Sequence, residues 1–251
     1  MLERKIEQPL LSIITVVFNS ALLIRDTLQS VASVKNKGIE YILIDGGSTD
    51  ETNEIVNSYL SIIDVYISEG DSGIYDAMNK GIELASGEFV CFLNSGDIYL
   101  PDFPNVVKKN LTDHYDIFAF GIYEKSENGD FFTKMPLECN LQNFDPQFMY
   151  LPHPGIIARK ELFDKYGLFD VLYKSSSDLD WVNRVLINLD FKYKIIKTPI
   201  VIFLLGGMSS SYISFTETRR IAIKYGKSIF KSNWVFIKQV ILLLFYKLKK
   251  H

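Results

Sequence analysis

Cysteine, tryptophan and histidine are scarce in this sequence, whose 251 residues include two cysteines, two tryptophans and three histidines. Cys91 lies in an apolar segment and Cys139 in a polar one, so we expect neither a disulfide framework nor a cysteine metal site, and we infer a reducing, cytoplasmic interior. The formal net charge of −3 gives no diffuse cationic field, which argues against nucleic acid as a partner. No long linker or low-complexity block divides the chain, which favours one globular domain.

Short apolar segments rich in β-branched residues recur through the first hundred residues. The first of them lacks the basic start and small-residue cleavage site of a signal peptide, so we expect a strand rather than a targeting signal. Strands that alternate with helical patterns are typical of an α/β fold with a mostly parallel central sheet. The predicted strands are Leu11–Val17, Glu40–Asp45, Val65–Ser68 and Phe89–Leu93.

Helical spacing separates these strands. Leu22, Leu28 and Val31 are predicted to share one helix face, and apolar residues recur every three or four positions from Ile74 to Ala85. The polar cluster Ser48–Asp50 is expected to cap a helix between the second and third strands. The pattern is weaker after residue 100. There we predict a hairpin of Asp116–Tyr123 and Phe131–Lys134, a loop-rich stretch over 137–158, a capped helix over Ser175–Leu189, and a strand over Lys192–Phe203 with Pro199 near an edge or bulge.

Polar side chains stand at or just beyond the ends of four predicted strands. Asn19, Asp45, Asp71 and Asp97 are each 26 residues after the last (45−19, 71−45, 97−71). In an open α/β sheet, ligands bind in the crevice beyond the carboxyl ends of the strands. The sequence therefore predicts a binding site at this edge of the sheet.

Four segments resemble, in unbroken order, the signature blocks of family 2 glycosyltransferases with the GT-A fold. The likeness is strongest to bacterial members that build surface polysaccharides and O-antigens, and several matched blocks in order are more specific than one motif. The segments are Thr15–Asn19, Ile44–Asp50, Ser68–Gly81 and Phe92–Asp97.

The resemblance covers roughly residues 10 to 210 and implies how the chain is divided. It implies a Rossmann-like GT-A domain over residues 1–225, with a nucleotide-sugar-binding half (1–100) and an acceptor-binding half (101–225). Residues 226–251 are left as an amphipathic helical tail.

The activity that the resemblance implies is that of an inverting glycosyltransferase. Such an enzyme moves a hexose or N-acetylhexosamine from a nucleotide sugar, here UDP-linked, to a lipid-linked oligosaccharide, with Mn²⁺ or Mg²⁺ as cofactor. A non-catalytic nucleotide-sugar-binding or partner protein that keeps the fold is the alternative. A nucleotidyltransferase is disfavoured because no triphosphate-gripping loop rich in glycine and basic residues follows the first strand.

The resemblance assigns a group of polar residues to the nucleotide sugar. Asp45 can accept the N3–H of uracil, a donor that cytosine and adenine lack, or it can organise the turn at Gly46-Gly47. Thr15 as an ordinary strand residue and Lys80 as a solvated lysine are the alternatives to their assigned roles. The group is Thr15, Asn19, Asp45, Asp71, Asn79, Lys80 and Asn94.

Asp97 is the predicted metal ligand. Family members usually carry several aspartates here, whereas this chain has Asn94 and Gly96, so the resemblance implies weak, substrate-assisted coordination of the cation. The alternative is that Asp97 is a turn residue. His153, between two prolines, matches a family histidine that holds the metal or diphosphate or contacts the acceptor; an unremarkable loop histidine is the other interpretation.

Asp178 matches the family's catalytic base, which takes the proton from the acceptor hydroxyl. Asp180 is two residues further on, so the two carboxylates cannot share one helix face, and Asp180 is left as an acceptor or structural contact. Capping of the helix is the alternative for this serine- and aspartate-rich segment.

Two features near the C-terminus complete the prediction. Gly206–Ser210 resembles a flexible loop that closes over the donor; glycines that merely end a strand are the alternative. Trp234–Leu248 combines apolar residues with lysines, which suits a helix in the interface of a membrane, here the cytoplasmic face of the inner membrane. A terminal helix docked on the protein's own core is the alternative.

Overall fold

The computed structural model describes residues 8–126, 128–139, 141–188, 191–207 and 211–249. In these ranges nine strands form one sheet: β1 (Leu11–Val17), β2 (Ile39–Asp45), β3 (Val65–Ser68), β4 (Phe89–Phe92), β5 (Ile98–Tyr99), β6 (Ile117–Lys125), β7 (Phe131–Lys134), β8 (Ile156–Arg159) and β9 (Tyr193–Leu204). The helices are α1 (Ile24–Val34), α2 (Thr52–Asn57), α3 (Ile74–Leu84), α4 (Phe103–Asn110), α5 (Glu161–Tyr166), α6 (Ser177–Leu186), α7 (Tyr212–Lys224) and α8 (Ile229–Lys249).

The strand order in the sheet is β3-β2-β1-β4-β8-β6-β9-β5, and β7 pairs with β6. The pairings among β1, β2, β3 and β4 are all parallel, whereas β8 runs antiparallel between β4 and β6. The predicted α/β fold is confirmed, and its sheet is mixed. Strands from both predicted halves of the chain belong to this one sheet.

The first three residues of β8 lie in the stretch over 137–158 that we expected to be loop-rich, so the loop prediction is wrong at Ile156–Ala158. The strand comes directly after the turn at Pro154-Gly155, and the prolines of this stretch favoured a loop. Hydrogen bonds to β4 and β6 on its two sides hold it in the sheet.

The parallel strands β1 and β4 are fully buried because helices cover both faces of the sheet. All seven residues of β1 are buried. α1 packs Ile24, Leu28 and Val31 into the core on one face, and α3 contributes to the core on the other. Leu22, which we predicted on the buried face of α1, precedes that helix and is 96% exposed. Ile24 takes its place, because it lies four residues before Leu28 and thus on the same face.

The second half of the sheet agrees with most of the predicted elements. β6 and β7 form the expected hairpin. The pairing of β6 with β9 is irregular where Gly121 meets Pro199, which confirms the bulge predicted at that proline. α6 is shorter than predicted, since it runs from Ser177 to Leu186; Leu189 lies outside the described residues.

The two C-terminal helices pack against each other. The ring of Tyr212 on α7 meets the ring of Phe236 on α8 edge to face, with centroids 5.6 Å apart. Between the helices, Lys227 forms an ion pair of 2.7 Å with Asp145. α8 is therefore fixed to the protein along one face, as the docked-helix alternative expects.

The opposite face of α8 is exposed and apolar. Lys231 and Lys238 are exposed beside this face. No helix in the described part of the chain is both long enough and apolar enough to cross a bilayer. We call the following four residues, spaced by four, three and four positions, the α8 stripe: Phe230, Trp234, Ile237 and Ile241.

Candidate functional site

Two adjoining cavities open at the carboxyl ends of the parallel strands. The β1-side cavity, of about 520 Å³, is lined by the end of β1 and by Asp71–Gly73. The β9-side cavity, of about 490 Å³, is lined by Asp97, His153, Asp178 and the end of β9. Both have Ile74, Tyr75, Asn94, Ser95 and Lys174 in their walls.

The loops that follow β1 and β2 are hydrogen-bonded to each other. Asp45 is fully buried, and its carboxylate accepts hydrogen bonds from the N–H and hydroxyl of Ser48 and, at 2.6 Å, from the hydroxyl of Ser68. Asn19 has a left-handed φ of 45°, its N–H donates to the Ser48 hydroxyl (2.8 Å), and its Oδ1 accepts from the N–H of Thr49 (2.8 Å). Asp45 thus organises the turn, as one of our two interpretations expects.

Asp71 reaches the same loops from the end of β3. Its Oδ1 accepts the N–H of Gly73 at 2.8 Å. Its Oδ2 lies so close to Gly46 that a Cβ at this glycine would overlap the carboxylate. Gly46 therefore allows Asp45 and Asp71, both predicted to bind the nucleotide sugar, to belong to one loop cluster.

Two other residues that we predicted to bind the nucleotide sugar make contacts within the protein. Thr15 is fully buried in β1, where its hydroxyl donates to the carbonyl of Leu93 (2.7 Å) and accepts from the hydroxyl of Tyr41 (3.0 Å). Lys80 forms an ion pair of 2.8 Å with Glu69. Neither side chain lines either cavity. For Thr15, the ordinary strand residue is the alternative that these contacts favour.

The side chain of Asn79 joins α3 to the segment before α6 by hydrogen bonds. Its Nδ2 donates to the carbonyl of Phe169 (2.9 Å), and its Oδ1 accepts the N–H of the same residue (3.0 Å). Both functional ends of the amide are thus used inside the protein. We assign this residue to holding the wall of the site rather than to the nucleotide.

Asp97 is buried at the point where the loop after β4 meets β9. The carboxylate is 3% exposed, and its Oδ1 accepts the N–H of Leu204 at 3.0 Å. Burial raises the pKa of Asp97 to about 7, and the hydrogen bonds from Leu204 and Asn94 oppose that rise only in part. Near neutral pH this carboxyl is poised between its two protonation states.

Asp97 and Asn94 offer two oxygen donors for a divalent cation, which fits a cation that takes its other ligands from the phosphates of a bound nucleotide. The described part of the chain contains no group of three His, Cys, Asp or Glu side chains arranged around an ion. Near Asp97, however, the Oδ1 of Asn94 is buried and has no hydrogen-bond partner among the described residues. Mg²⁺ and Mn²⁺ prefer such oxygen donors, and Mg²⁺ is commonly bound by one or two protein oxygens together with phosphates.

His153 lies in the wall of the β9-side cavity. Its ring stacks on Phe92 with centroids 5.3 Å apart. Burial lowers the pKa of His153, and the charge of Asp178 offsets this only in part, so the imidazole is neutral near pH 7. Its Nε2 is buried and has no hydrogen-bond partner among the described residues. A neutral imidazole nitrogen in this position can bind either a hydroxyl or a cation.

The two aspartates of α6 point to different neighbours. Asp178 lines the β9-side cavity and accepts a hydrogen bond of 3.0 Å from the hydroxyl of Tyr75. Asp180 is 1% exposed and forms ion pairs with Arg184 (3.2 Å) and with Lys224 on α7 (2.7 Å). Asp180 therefore joins α6 to α7, and Asp178 faces the cavity.

Sequence reasoning missed two residues of the shared wall. Tyr75 lies within a segment that resembles the family, but nothing in the segment itself shows that it contacts Asp178. Lys174 was also overlooked; its ammonium makes no ion pair with any described residue, and its backbone N–H donates to Glu217 (2.8 Å). The available signal was its position four residues before Asp178.

The glycine-rich segment at the end of β9 is described only in part. Gly206 has a φ of 104°, and Gly207 lines the β9-side cavity. Met208–Ser210, which we predicted to be part of a closing loop, lie outside the described residues.

Sequence comparison identifies relatives of this chain. The family model for glycosyl transferase family 2 matches residues 12–167. A PGL/p-HBAD biosynthesis glycosyltransferase of Mycobacterium bovis is 30% identical over 186 residues, which are 72% of this chain and 71% of the relative. An uncharacterized glycosyltransferase of Rickettsia typhi is 30% identical over 185 residues, which are 68% of this chain and 57% of the relative.

Solved structures share the fold at lower identity. S. aureus TarS 1–349 in complex with UDP-GlcNAc matches with a TM-score of 0.69 and 22% identity, over 92% of this chain and 71% of that one. The mannosyltransferase PcManGT from Pyrobaculum calidifontis in complex with GDP-Man and Mn²⁺ matches with a TM-score of 0.62 and 17% identity, over 91% and 70%. The chain belongs to glycosyl transferase family 2 and has the GT-A fold.

Proposed function

We propose that this protein is an inverting glycosyltransferase that moves a hexose or N-acetylhexosamine from a UDP-linked sugar to a lipid-linked oligosaccharide, as in surface-polysaccharide or O-antigen synthesis. The observation that carries the proposal is the shared wall of the two cavities, with Asp71 on one side and Asp178 on the other. In a displacement reaction the donor and the acceptor must meet in line. Two adjoining cavities suit that requirement.

The β1-side cavity takes the nucleotide in this proposal. Asp71 borders this cavity, and Asp45 and Asn19 belong to the loop cluster behind it. Asp45 supports this cavity by holding the turn behind it through its bonds to Ser48 and Ser68. The UDP-GlcNAc bound by TarS supports a uridine nucleotide, whereas the GDP-Man bound by PcManGT makes guanosine the comparison to test.

Asp178 acts as the general base at the acceptor. Its carboxylate takes the proton of an acceptor hydroxyl while that oxygen forms a bond to the anomeric carbon. The bond from the anomeric carbon to the diphosphate oxygen breaks at the same time, and its electron pair leaves with UDP. Because attack comes from the face opposite the nucleotide, the configuration at this carbon is inverted. His153, with its unpartnered Nε2, orients the acceptor or diphosphate beside this base.

A divalent cation, Mn²⁺ or Mg²⁺, would be held by Asp97 and by the carbonyl oxygen of Asn94. When bound, it neutralises charge on the departing diphosphate. Lys174 adds a positive charge from the protein at the wall shared by the two cavities. The lysine suits a site that has a single aspartate where several are usual. Its ammonium and a weakly held cation would offset the same negative charge on the diphosphate.

A protein that uses a lipid-linked acceptor must reach a membrane surface, and the cytoplasmic face of the inner membrane is the location that we propose. The α8 stripe and its neighbouring lysines support this location, since apolar side chains with aromatic residues and lysines suit the interface of an anionic bilayer. α8 is held to the protein by α7, and its exposed face is the part that would enter the interface.

Calorimetric titration with UDP, GDP and CDP, each with and without Mn²⁺, tests the donor site before any acceptor is known. We expect binding that is selective for UDP and strengthened by the cation. Asp97→Ala should remove most of the strengthening by Mn²⁺ but leave cation-free binding in place. A preference for GDP, or no binding of any nucleotide, would contradict the proposed donor.

Turnover separates an enzyme from a binding protein that has kept the fold. We would incubate the protein with UDP-sugars and a lipid-linked acceptor extract and follow UDP release and the anomeric configuration of the product. Product of inverted configuration supports the proposal, whereas selective UDP binding without turnover favours the non-catalytic alternative.

A further inference from the structure

Tyr75 connects the two cavities by a contact that the proposed reaction does not yet explain. It is the second residue of α3 and follows the Asp71–Gly73 loop of the β1-side cavity. Its hydroxyl donates a hydrogen bond of 3.0 Å to Oδ1 of Asp178, which is 103 residues further along the chain. A residue beside the donor loop therefore holds the base on the acceptor side.

The ring of Tyr75 is held in place from several directions. The side chain is 5% exposed, and its ring lies 5.5 Å from the ring of Phe169. Phe169 is itself fixed to α3 by the two hydrogen bonds of Asn79. A phenol fixed in this way loses little further freedom when it binds its partner, so its hydrogen bond can set the orientation of the carboxylate.

Tyr75 remains a donor over the physiological pH range. Burial, followed by the charge of Asp178, raises the pKa of Tyr75 well above its ordinary value. Hydrogen bonds from the backbone amides of Ser177 and Asp178, at the start of α6, lower the pKa of Tyr75 and so oppose this rise only in part. The hydroxyl thus keeps its proton and directs it toward the carboxylate.

We propose that Tyr75 is a positioning residue for the proposed base, because its hydroxyl fixes Oδ1 of Asp178 and leaves Oδ2 to receive the proton of the acceptor. The inference rests on the proposed function. Tyr75 thus keeps the base oriented toward the acceptor.

Several other titratable groups lie around Asp178 in the β9-side cavity. His153 faces it from the turn before β8, and Asp97 and Lys174 line the same cavity. Glu124 on β6 and Lys134 on β7 also line it, and these two are paired with each other at 3.1 Å. All of these groups are retained when the Tyr75 hydroxyl alone is removed.

The test compares the steady-state turnover of Tyr75→Phe with that of wild type, since this substitution removes only the phenol hydroxyl. Tyr225→Phe is the matched control, because it removes a half-buried phenol hydroxyl bonded to Asp180 on the same helix. A Tyr75→Phe variant with the kcat of wild type would overturn the inference.

Turnover of the same variants separates this inference from the proposed function. Tyr75→Phe should lower kcat about tenfold with the KM for the donor unchanged, whereas Tyr225→Phe should keep both values. If Asp178→Asn keeps normal turnover, the assignment of the base fails. If Asp178→Asn is inactive while Tyr75→Phe has a normal kcat, only the role of Tyr75 fails.

Discussion

The carboxylate of Asp97 accepts a hydrogen bond of 3.0 Å from the backbone N–H of Leu204 and so joins the loop after β4 to the end of β9. Both residues line the β9-side cavity. This is the one proposed metal ligand whose pKa is raised by burial, to about 7. The protonation state of Asp97 should therefore affect both the stability of the fold and the binding of a cation.

The free energy of unfolding should fall as the pH rises from about 4 to about 7. The folded chain keeps the proton of Asp97 until about pH 7, whereas the unfolded chain loses it near the usual value of 3.8. Stability should therefore decline by up to about 1.4 kcal/mol per pH unit in this window and then level off. Urea unfolding of wild type and Asp97→Asn measures it, and an equal pH dependence in both proteins would contradict the assignment.

Asp178→Asn should abolish most of the transfer while nucleotide binding stays nearly intact. Loss of a general base typically lowers the rate by about 10²- to 10⁴-fold. Steady-state turnover and calorimetry with UDP measure the two effects separately. Asp164→Asn on α5 makes the same change of charge at an exposed position and serves as the control. Near-normal turnover in Asp178→Asn would refute the base.

Asp180→Asn should act on stability rather than on the chemical step. The substitution leaves Arg184 and Lys224 without their shared carboxylate, which is buried. Removing one partner of a buried ion pair costs about 3 to 5 kcal/mol, and the exposure of Lys224 places the expected loss at the lower end. Denaturant unfolding checks this. A variant as stable as wild type would show that the link between α6 and α7 is energetically neutral.

Lys174→Met should weaken the binding of UDP about tenfold and leave the binding of uridine unchanged. Methionine keeps the apolar stem of the side chain, so the loss reports the charge opposite the diphosphate. Lys174→Arg should retain affinity. Titrations at low and high salt provide a further check, because the effect of an exposed charge is screened. Equal losses for UDP and uridine would mean that the cavity itself had changed.

Trp234→Glu should reduce sedimentation with anionic vesicles about tenfold. The change places a negative charge in the α8 stripe, where it opposes both the apolar contact and the attraction to anionic lipid. Phe131→Glu is a matched control, since Phe131 is 55% exposed and Trp234 is 58% exposed. If both variants lose binding equally, or neither does, the stripe is not the lipid-binding surface.

The first half of the fold was predictable because its signals are local. Runs of β-branched residues mark β1 and β2, with Asn19 two residues after β1 and Asp45 as the last residue of β2. β8 was not recognised in this way, because it directly follows the proline-rich turn at Pro154 and is held in the sheet by pairing with β4 and β6. The contact of Tyr75 with Asp178 is equally non-local, as it joins residues 103 apart.

Individual site residues differ in how well residue type predicts their neighbours. A carboxylate after a strand drew attention to Asp71, and this residue lines a cavity. The family resemblance assigned Thr15 and Asn79 to the nucleotide sugar, whereas their side chains bond to the protein itself. The hydroxyl and the amide suit both uses, so the choice depends on tertiary contacts.

The insertion of β8 between β4 and β6 affects how the chain folds while the ribosome is still making it. β4 consists of four buried residues, and the strand that covers its outer edge begins only at Ile156. While the intervening chain emerges from the ribosome, β1 to β4 can already pair, but one apolar edge stays open to other chains. A fragment that ends before Ile156 keeps that edge permanently and should aggregate, so the nascent chain has its greatest need of a chaperone at this point.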